Sequence, residues 1–449
     1  MKTKILTLLV VTGMMAGCST VRQARQAQKE TGLGLPMGER TATQEEFGVR
    51  EGEVLSLTGA EAFSLQWHPA MATATQKVIA ARINVSKAGA GRRPSLSGSV
   101  GYGGGRNANS AQDWNFTTTD DFTASLSLTW VLYDFGRTRA SIRSAIADLL
   151  AAHETLSETR VQRVQEVRSA YFKLAQAQAQ CRVDEENLRQ YDELLRQAEL
   201  RFKIGTGRKY DITKAKADRS NALLSLLTAS NTITTARAEL NNQMGLGKVG
   251  TYALASDVRL PEPGVDFDLL LSVAQTNQPT LRALRAKTAA AVASVDRTIA
   301  ELYPQIRATA STAYSTGDIQ TFGISWGLAL LQDLFKSFEK RDNILVSVTA
   351  LRQTRAALAL QEQYVVKMLI TALSSLNTAR QGKVVAEEME MQAKENLDLV
   401  LKQFEVGTSS ILEVTDAQVL YTRARSAAVS ARYTLENAKA SVYAIIGME

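Results

Sequence analysis

Residues 201–206 read Arg-Phe-Lys-Ile-Gly-Thr, and residues 403–408 read Gln-Phe-Glu-Val-Gly-Thr. The two stretches lie 202 positions apart, and their agreement extends in both directions. Glu193, Leu195 and Phe202 fall on Glu395, Leu397 and Phe404; Ala215, Ala222, Ala229, Ala236 and Gly245 fall on Ala417, Ala424, Ala431, Ala438 and Gly447. At an offset of 210, Pro69 and Pro94 fall on Pro279 and Pro304. Chance matches a few alanines, but not glycines and prolines in one register. The chain therefore reads as two copies of one unit, 60–246 and 268–447, joined by a segment 247–267 that holds Pro261, Pro263 and Gly264.

Upstream of the first quoted stretch, the 68 residues 137–204 contain neither proline nor glycine. Apolar side chains recur there at three- and four-residue steps, among them Ile142, Ile146, Leu149, Leu156, Val167, Leu174, Cys181, Leu188, Leu195 and Phe202. The pattern predicts a helix over 137–204, about 100 Å long at the usual rise per residue, and a second over 208–244. The matching segments in the other unit are 339–405, interrupted only by Gly382, and 409–446. A mean spacing near 3.5 favours antiparallel hairpins packed as gently supercoiled pairs. His153, Arg160 and Arg163 break the stripe, as expected of helices that meet neighbours on two sides and water on a third. Gly205 and Gly407 supply the positive φ for a tight reversal. Thr206 and Thr408 are expected to cap the returning helices or to bond to a partner. Ile204 and Val406 then stand exposed at the tips, either as a contact surface or as parts of a plain turn.

Ahead of each long helix the texture changes. Residues 95–102, 122–130, 306–314 and 321–330 alternate small or polar with larger side chains, each run near the length of a tilted membrane-spanning strand. These read as two hairpins, with 103–121 a long loop and 315–320 a short one. Of the 28 aromatic residues, 13 fall within 94–135 and 303–338, including Trp114, Trp130, Tyr133, Phe135, Tyr303, Trp326, Phe335 and Phe338. Such a concentration matches the interfacial girdles of membrane barrels. Four strands cannot close on themselves, and open edges in hydrocarbon leave backbone groups unpaired, so the barrel must be shared between chains. Two chains give eight strands and a filled interior, whereas three give twelve and room for water.

Composition removes other classes. Of the 449 residues, 45% are apolar and 22% charged, enough to bury a core and unlike a disordered chain. The formal net charge of +7, about +5 without Lys2 and Lys4, is too slight and dispersed for nucleic acid. With two histidines and two cysteines there is no basis for the usual zinc sites or a histidine-based centre. No nucleophile elbow, phosphate loop or metal-ligand cluster is found, so neither catalysis nor a cofactor is expected. Residues 1–17 read as a secretory signal peptide. The tetrad Met15-Ala16-Gly17-Cys18 resembles the bacterial lipoprotein box, with methionine where leucine is usual. That resemblance implies a covalent lipid on Cys18, a lipid-anchored segment 18–59, and, with Ser19 following, no retention at the inner membrane; the alternative is an ordinary leader with an incidental cysteine. Cys181 then has no partner in the chain and is expected as an unpaired thiol at a helix seam.

Together these residues resemble the TolC-type outer-membrane efflux family over about 60–447. The most specific parts are 201–206 followed by Asp211, Ile212 and Ala215, and 403–408 followed by Leu412, Glu413, Val414, Asp416, Ala417 and Gln418. The run from Trp130 through Asp134 to Gly136 is similar to the family's exit from strand to long helix; after Trp326 the second copy lacks an Asp-any-Gly pattern. The resemblance implies a mainly α fold with a small membrane β part, in which a homotrimer forms a twelve-stranded β-barrel continuous with a periplasmic α-helical barrel. An equatorial belt near 246–270 and the C-terminus is implied too, with short helices around Pro69 and Pro279. It further implies that the tips, Ile204, Gly205, Thr206, Val406, Gly407 and Thr408, dock a periplasmic adaptor protein coupled to an inner-membrane pump of the RND or ABC type. The function implied is a passive outer-membrane exit duct for tripartite efflux or type I secretion. Glu395 and Asp398 share a helix face and form either a negative ring at the periplasmic aperture, countered by Lys394, Lys402 or Arg201, or a solvated face; Glu387, Glu388 and Glu390 read as solvated. The alternative function is a structural coiled-coil lipoprotein, a spacer or adhesin without a channel.

Overall fold

The computed structural model describes residues 54–109, 115–246, 252–255, 258–264, 266–316, 320–332 and 338–448. Cys18 with its leader, Trp114 and Phe335 lie outside the described residues. The order is β1 (Val54–Leu55), α1 (Leu57–Trp67), α2 (Pro69–Gly89), β2 (Ser95–Asn109), β3 (Asn115–Tyr133), α3 (Arg137–Lys203) and α4 (Lys209–Met244), then β4 (Ala253–Leu254), α5 (Phe267–Asn277), α6 (Pro279–Ala300), β5 (Gln305–Thr316), β6 (Gln320–Leu331), α7 (Glu339–Glu405) and α8 (Ile411–Ile445).

The two longest helices, α3 and α7, each run for 67 residues. Each folds back on its successor, α3 on α4 and α7 on α8. Alanine recurs every seventh residue along the seams: Ala215, Ala222, Ala229 and Ala236 of α4 are buried, as are Ala372, Ala379, Ala386 and Ala393 of α7. A small side chain at the heptad interval lets two backbones approach closely over many turns. Val167, Leu174 and Cys181 continue the buried stripe of α3 at the same interval, and Cys181 is a free, buried thiol. Between hairpins the contact is of another kind. Where α3 meets α8, Gln176 and Gln180 donate to the hydroxyls of Ser430 (3.4 Å) and Ser426 (2.9 Å), and the Asn187 carbonyl accepts from Gln418 and Thr422, both at 2.9 Å. On this side the helices stand in the row α4–α3–α8–α7.

Nearer the strands the row becomes α2–α3–α6–α7. The exchange is possible because the shorter helices abut end to end. Gly245, after α4, has φ 81° and would place a Cβ 3.0 Å from the Cα of His68, the N-cap of α2. Gly447, after α8, has φ 74° and would place one 3.0 Å from the carbonyl oxygen of Asn277, just ahead of α6. Around this level lies the core. Val167, Tyr171, Phe172 and Leu174 pack with Leu55, Leu57, Leu240, Met244 and Tyr252; Leu270, Leu281, Val365, Leu369 and Ile446 do the same in the other half. Complete burial of each such side chain contributes about 1.5–3 kcal/mol. Parallel pairing of β1 with β4, and a 3.1 Å bond from the Tyr171 hydroxyl to the Leu55 carbonyl, tie the linker region to α3.

The four long strands form one antiparallel sheet in the order β2-β3-β5-β6. The strands of the first hairpin reach further than the sequence pattern predicts. The stretch 103–121, read as a loop, is mostly ladder, with Gly103 opposite Asp121 and Asn109 opposite Asn115. Glycine and threonine carry little hydrophobic alternation, yet the backbone pairs regardless of side chain, and β-branched threonine favours it. One extra residue, Leu132, interrupts the β3–β5 register between Val131 and Tyr133. The bulge brings Tyr133 against Phe135 (4.7 Å between centroids), and Phe135 stacks on Tyr303 (5.7 Å).

The glycine junctions generate a prediction. Gly245→Ala and Gly447→Ala should each cost about 1–3 kcal/mol, read as a lowered midpoint for loss of helical circular dichroism in detergent. A midpoint equal to that of the unaltered protein would show that the ends do not abut.

Candidate functional site

The two hairpin tips are built alike. At the end of α3, Gly205 has φ 79° and its N–H bonds to the Phe202 carbonyl (3.1 Å), while the Thr206 N–H reaches back to Arg201 (2.9 Å). At the end of α7, Gly407 has φ 83°, with bonds from Gly407 to Phe404 (3.0 Å) and from Thr408 to Gln403 (2.9 Å). Both are the Schellman closure that satisfies the last carbonyls of a helix. The threonine hydroxyls do not cap the returning helices. They donate backward instead, Thr206 to the Arg201 carbonyl (3.2 Å) and Thr408 to the Gln403 carbonyl (3.0 Å). Asp211 takes the cap of α4 by accepting the Arg208 N–H (3.2 Å); Ser410 and Glu413 form a reciprocal capping box on α8. A second glycine matters at the first tip: a Cβ at Gly207 would lie 2.7 Å from the Phe202 nitrogen.

Ile204 and Val406, 73% and 76% exposed, project from adjacent tips. What holds the tips together is Arg201. Its guanidinium lies over the Phe404 ring, 3.9 Å from the centroid, and donates to the Phe404 carbonyl. Within the chain, Arg201 thus engages α7's last turn. Glu395 and Asp398 are both exposed on α7. Below the tips, Tyr191, Leu194, Ala215, Ile411 and Val414 form a common apolar core with Phe404, so both hairpins bury one cluster. Burial first, then Asp218 and Asp416, push the Tyr191 phenol up to about 12.

A second polar device was not indicated by the sequence pattern. The linker carboxylate Glu262 pairs with Lys439 of α8 (3.0 Å) and with Arg380 of α7. Lys439, almost fully buried, also bonds Glu436 (3.1 Å) and the Leu260 carbonyl (3.3 Å); Glu436 accepts the Leu260 N–H (2.8 Å). The hydrogen bond from Lys439, opposed by burial and aided by Arg380, holds the Glu262 carboxyl below its ordinary value.

The sheet has two chemically opposed faces. On one lie Leu96, Val100, Tyr102, Phe122, Leu126, Leu128 and Trp130, continued by Ile306, Tyr314, Phe322, Ile324, Trp326, Leu328 and Leu330. The other carries Ser95, Ser97, Ser99, Thr123, Ser125, Ser127, Thr129, Thr309, Ser311 and Ser325. Paired hydroxyls bridge strands on that face: Ser99 to Ser125 and Ser311 to Ser325, each at 2.7 Å. Among the described residues no group of histidine, cysteine and carboxylate side chains could hold a metal, and no helix is long and apolar enough to cross a membrane.

A family model described as outer membrane efflux protein matches residues 64–246 and 270–448. The outer membrane efflux protein BepC of Brucella suis is 25% identical over 370 residues, covering 79% of this chain and 78% of its own. Nodulation protein T of Rhizobium leguminosarum is 25% identical over 77% of this chain and 72% of its own; the cation efflux system protein CusC of Escherichia coli is 24% identical over 83% and 82%. Among solved structures, the outer-membrane channel OprN superposes with a TM-score of 0.76 at 18% identity, covering 93% of this chain and 99% of that one. The Campylobacter jejuni CmeC outer membrane channel gives 0.76 at 15% identity, over 93% and 90%. At these identities the structural likeness establishes the fold.

Two expectations follow from the tip and linker contacts. Arg201→Ala removes a stacked, charge-assisted contact worth roughly 1–2 kcal/mol, so amide hydrogen exchange at both tips should quicken about tenfold; a change confined to 201–206 would refute the clamp. Glu262 has a lower pKa folded than unfolded, so its contribution is complete above its ordinary value of 4.5 and is lost as pH falls through the folded value. Melting midpoints between pH 7 and pH 3 should therefore fall, and Glu262→Gln should flatten the decline; an identical slope in the variant would contradict the pairing.

Proposed function

Because the chain belongs to the outer membrane efflux protein family, we propose that it is the outer-membrane exit duct of a tripartite efflux or type I secretion system. One observation carries the reading furthest: a four-stranded sheet with an apolar face, a hydroxyl face and two unpaired edges, β2 and β6. In hydrocarbon each unpaired backbone group costs several kcal/mol, so β2 of one chain must pair with β6 of another. Three chains close twelve strands around water, with the apolar face toward lipid and the serine–threonine face toward the lumen. The helix row supports the same closure. Its outer members, α4 and α7, expose Leu224 and Leu227, and Leu360, Val384 and Met391, apolar surface that a neighbouring chain would cover. The near-identical lengths of the paired helices in the two halves support an internally duplicated protomer.

In this reading the described helices stand in the periplasm, and residue 18, acylated, anchors the chain to the outer membrane. Ile204, Gly205, Thr206, Val406, Gly407 and Thr408 receive a periplasmic adaptor, which links the duct to an inner-membrane pump of the RND or ABC type. Three copies of Glu395 and Asp398 ring the periplasmic aperture. The duct does no chemistry of its own; the pump supplies energy and selects cargo, as the range of relatives, from cation efflux to nodulation, accords with. A coiled-coil spacer would have no use for a sheet of opposed faces, and that alternative is not favoured.

The test is electrical. Purified protein in planar bilayers should conduct ions in unit steps without nucleotide hydrolysis, and Glu395→Gln with Asp398→Asn should raise the open fraction. A folded, inserted protein that never conducts, with or without those substitutions, would overturn the reading.

A further inference from the structure

Among the strand residues whose side chains are described, the hydroxyl face is almost free of charge, and its exception is informative. Arg307, the third residue of β5, is the one charged residue in any strand whose side chain is described. It lies opposite Val131 of β3 and Ala329 of β6, in the same set of alternate positions as Thr129, Thr309, Ser311, Ser325 and Gly327. Period-two alternation therefore puts it on the hydroxyl face, not among the lipid-facing apolar residues. It sits at the helix end of the sheet, level with Tyr133 and Tyr303, whose rings pack about Phe135.

Nothing in the described chain neutralises it. Arg307 makes no ion pair with a described residue, and its Nε is buried without a hydrogen-bond partner. Asp134, the acid at the exit from β3, is occupied by the Gly136 N–H (3.2 Å) and the Thr138 N–H (2.7 Å). Its neighbours on that face, Val131, Gln305, Thr309 and Ala329, carry no charge. A buried polar stem beneath an unpaired, permanently charged head is costly to keep, which argues for use by something passing the site.

We propose that Arg307 is a specificity-determining residue of the passage: three copies ring the base of the barrel and favour anionic cargo. This rests on the trimeric duct reading above. Three like charges at one level of a water-filled passage with low-dielectric walls focus their field inward, and at physiological ionic strength it reaches about 8 Å from each charge. Cations meet a barrier there, and carboxylate, phosphate or sulfonate groups a shallow well. The chemistry is that of a point filter at the base of a hydroxyl-lined tube.

The experiment is the reversal potential of the full-length protein in planar bilayers under a potassium chloride gradient, repeated with Arg307→Lys, Arg307→Gln and Arg307→Glu. The potassium-to-chloride permeability ratio should stay near the unaltered value in the lysine variant. It should rise about threefold or more with glutamine, and further with glutamate. Gln keeps much of the stem, so it remains informative should a charge reversal fail to insert. Equal ratios across conducting variants would overturn this inference and leave the duct intact. Absence of conductance in the unaltered protein would overturn the duct reading itself.

Discussion

A backbone donor or acceptor cannot be left bare in hydrocarbon, and a two-hairpin sheet leaves two rows of them. Side chains on the apolar face of β2, β3, β5 and β6 suit lipid on one surface only, so this sheet can neither curl into a small closed barrel nor lie free in water without loss. Its order, β2-β3-β5-β6, places an edge from each hairpin at opposite ends. In the proposed trimer each edge meets a copy of the same chain, and assembly completes the sheet. The helices share in that constraint, because α3 and α7 each follow a strand of the sheet.

Length is the second constraint. A 67-residue helix has too little intrinsic stability to stand alone in water and depends on a partner along its whole extent. Alanines at seven-residue intervals provide one within each hairpin, and the glutamine–serine contacts of α3 with α8 provide another between hairpins. End-to-end stacking at Gly245 and Gly447 lets short helices relieve one another without a gap in the row. The apolar belt, the β1–β4 pair and the Glu262 clamp all sit where that exchange occurs. Packing and pairing are thus concentrated at the middle, with Arg201 on Phe404 joining the tips.

Much of this architecture was written in local pattern. The absence of proline and glycine over 137–204 locates α3 to within a residue of its observed end at Lys203, and the glycines at 205 and 407 mark both reversals. Gly245 and Gly447 were visible as matched positions, although their reason, close approach to another helix, is a tertiary fact. Other features were hidden for physical causes. The outer parts of β2 and β3 carry glycine, asparagine and threonine, whose pattern does not separate ladder from loop. Arg201 stood out only as a charge, yet the copies differ there, with Gln403 in the second; that asymmetry within a matched motif was the available signal. The Glu262–Lys439–Arg380 contacts join residues more than a hundred positions apart, and no periodicity reports such pairs.

The claim on which the account turns is that three chains share one sheet. Native mass measurement of the detergent-solubilised protein tests it most directly, since each protomer contributes four strands and the number of protomers fixes the barrel. The account predicts a complex of three chains. A single chain or a pair, stable in detergent with its strands intact, would contradict it.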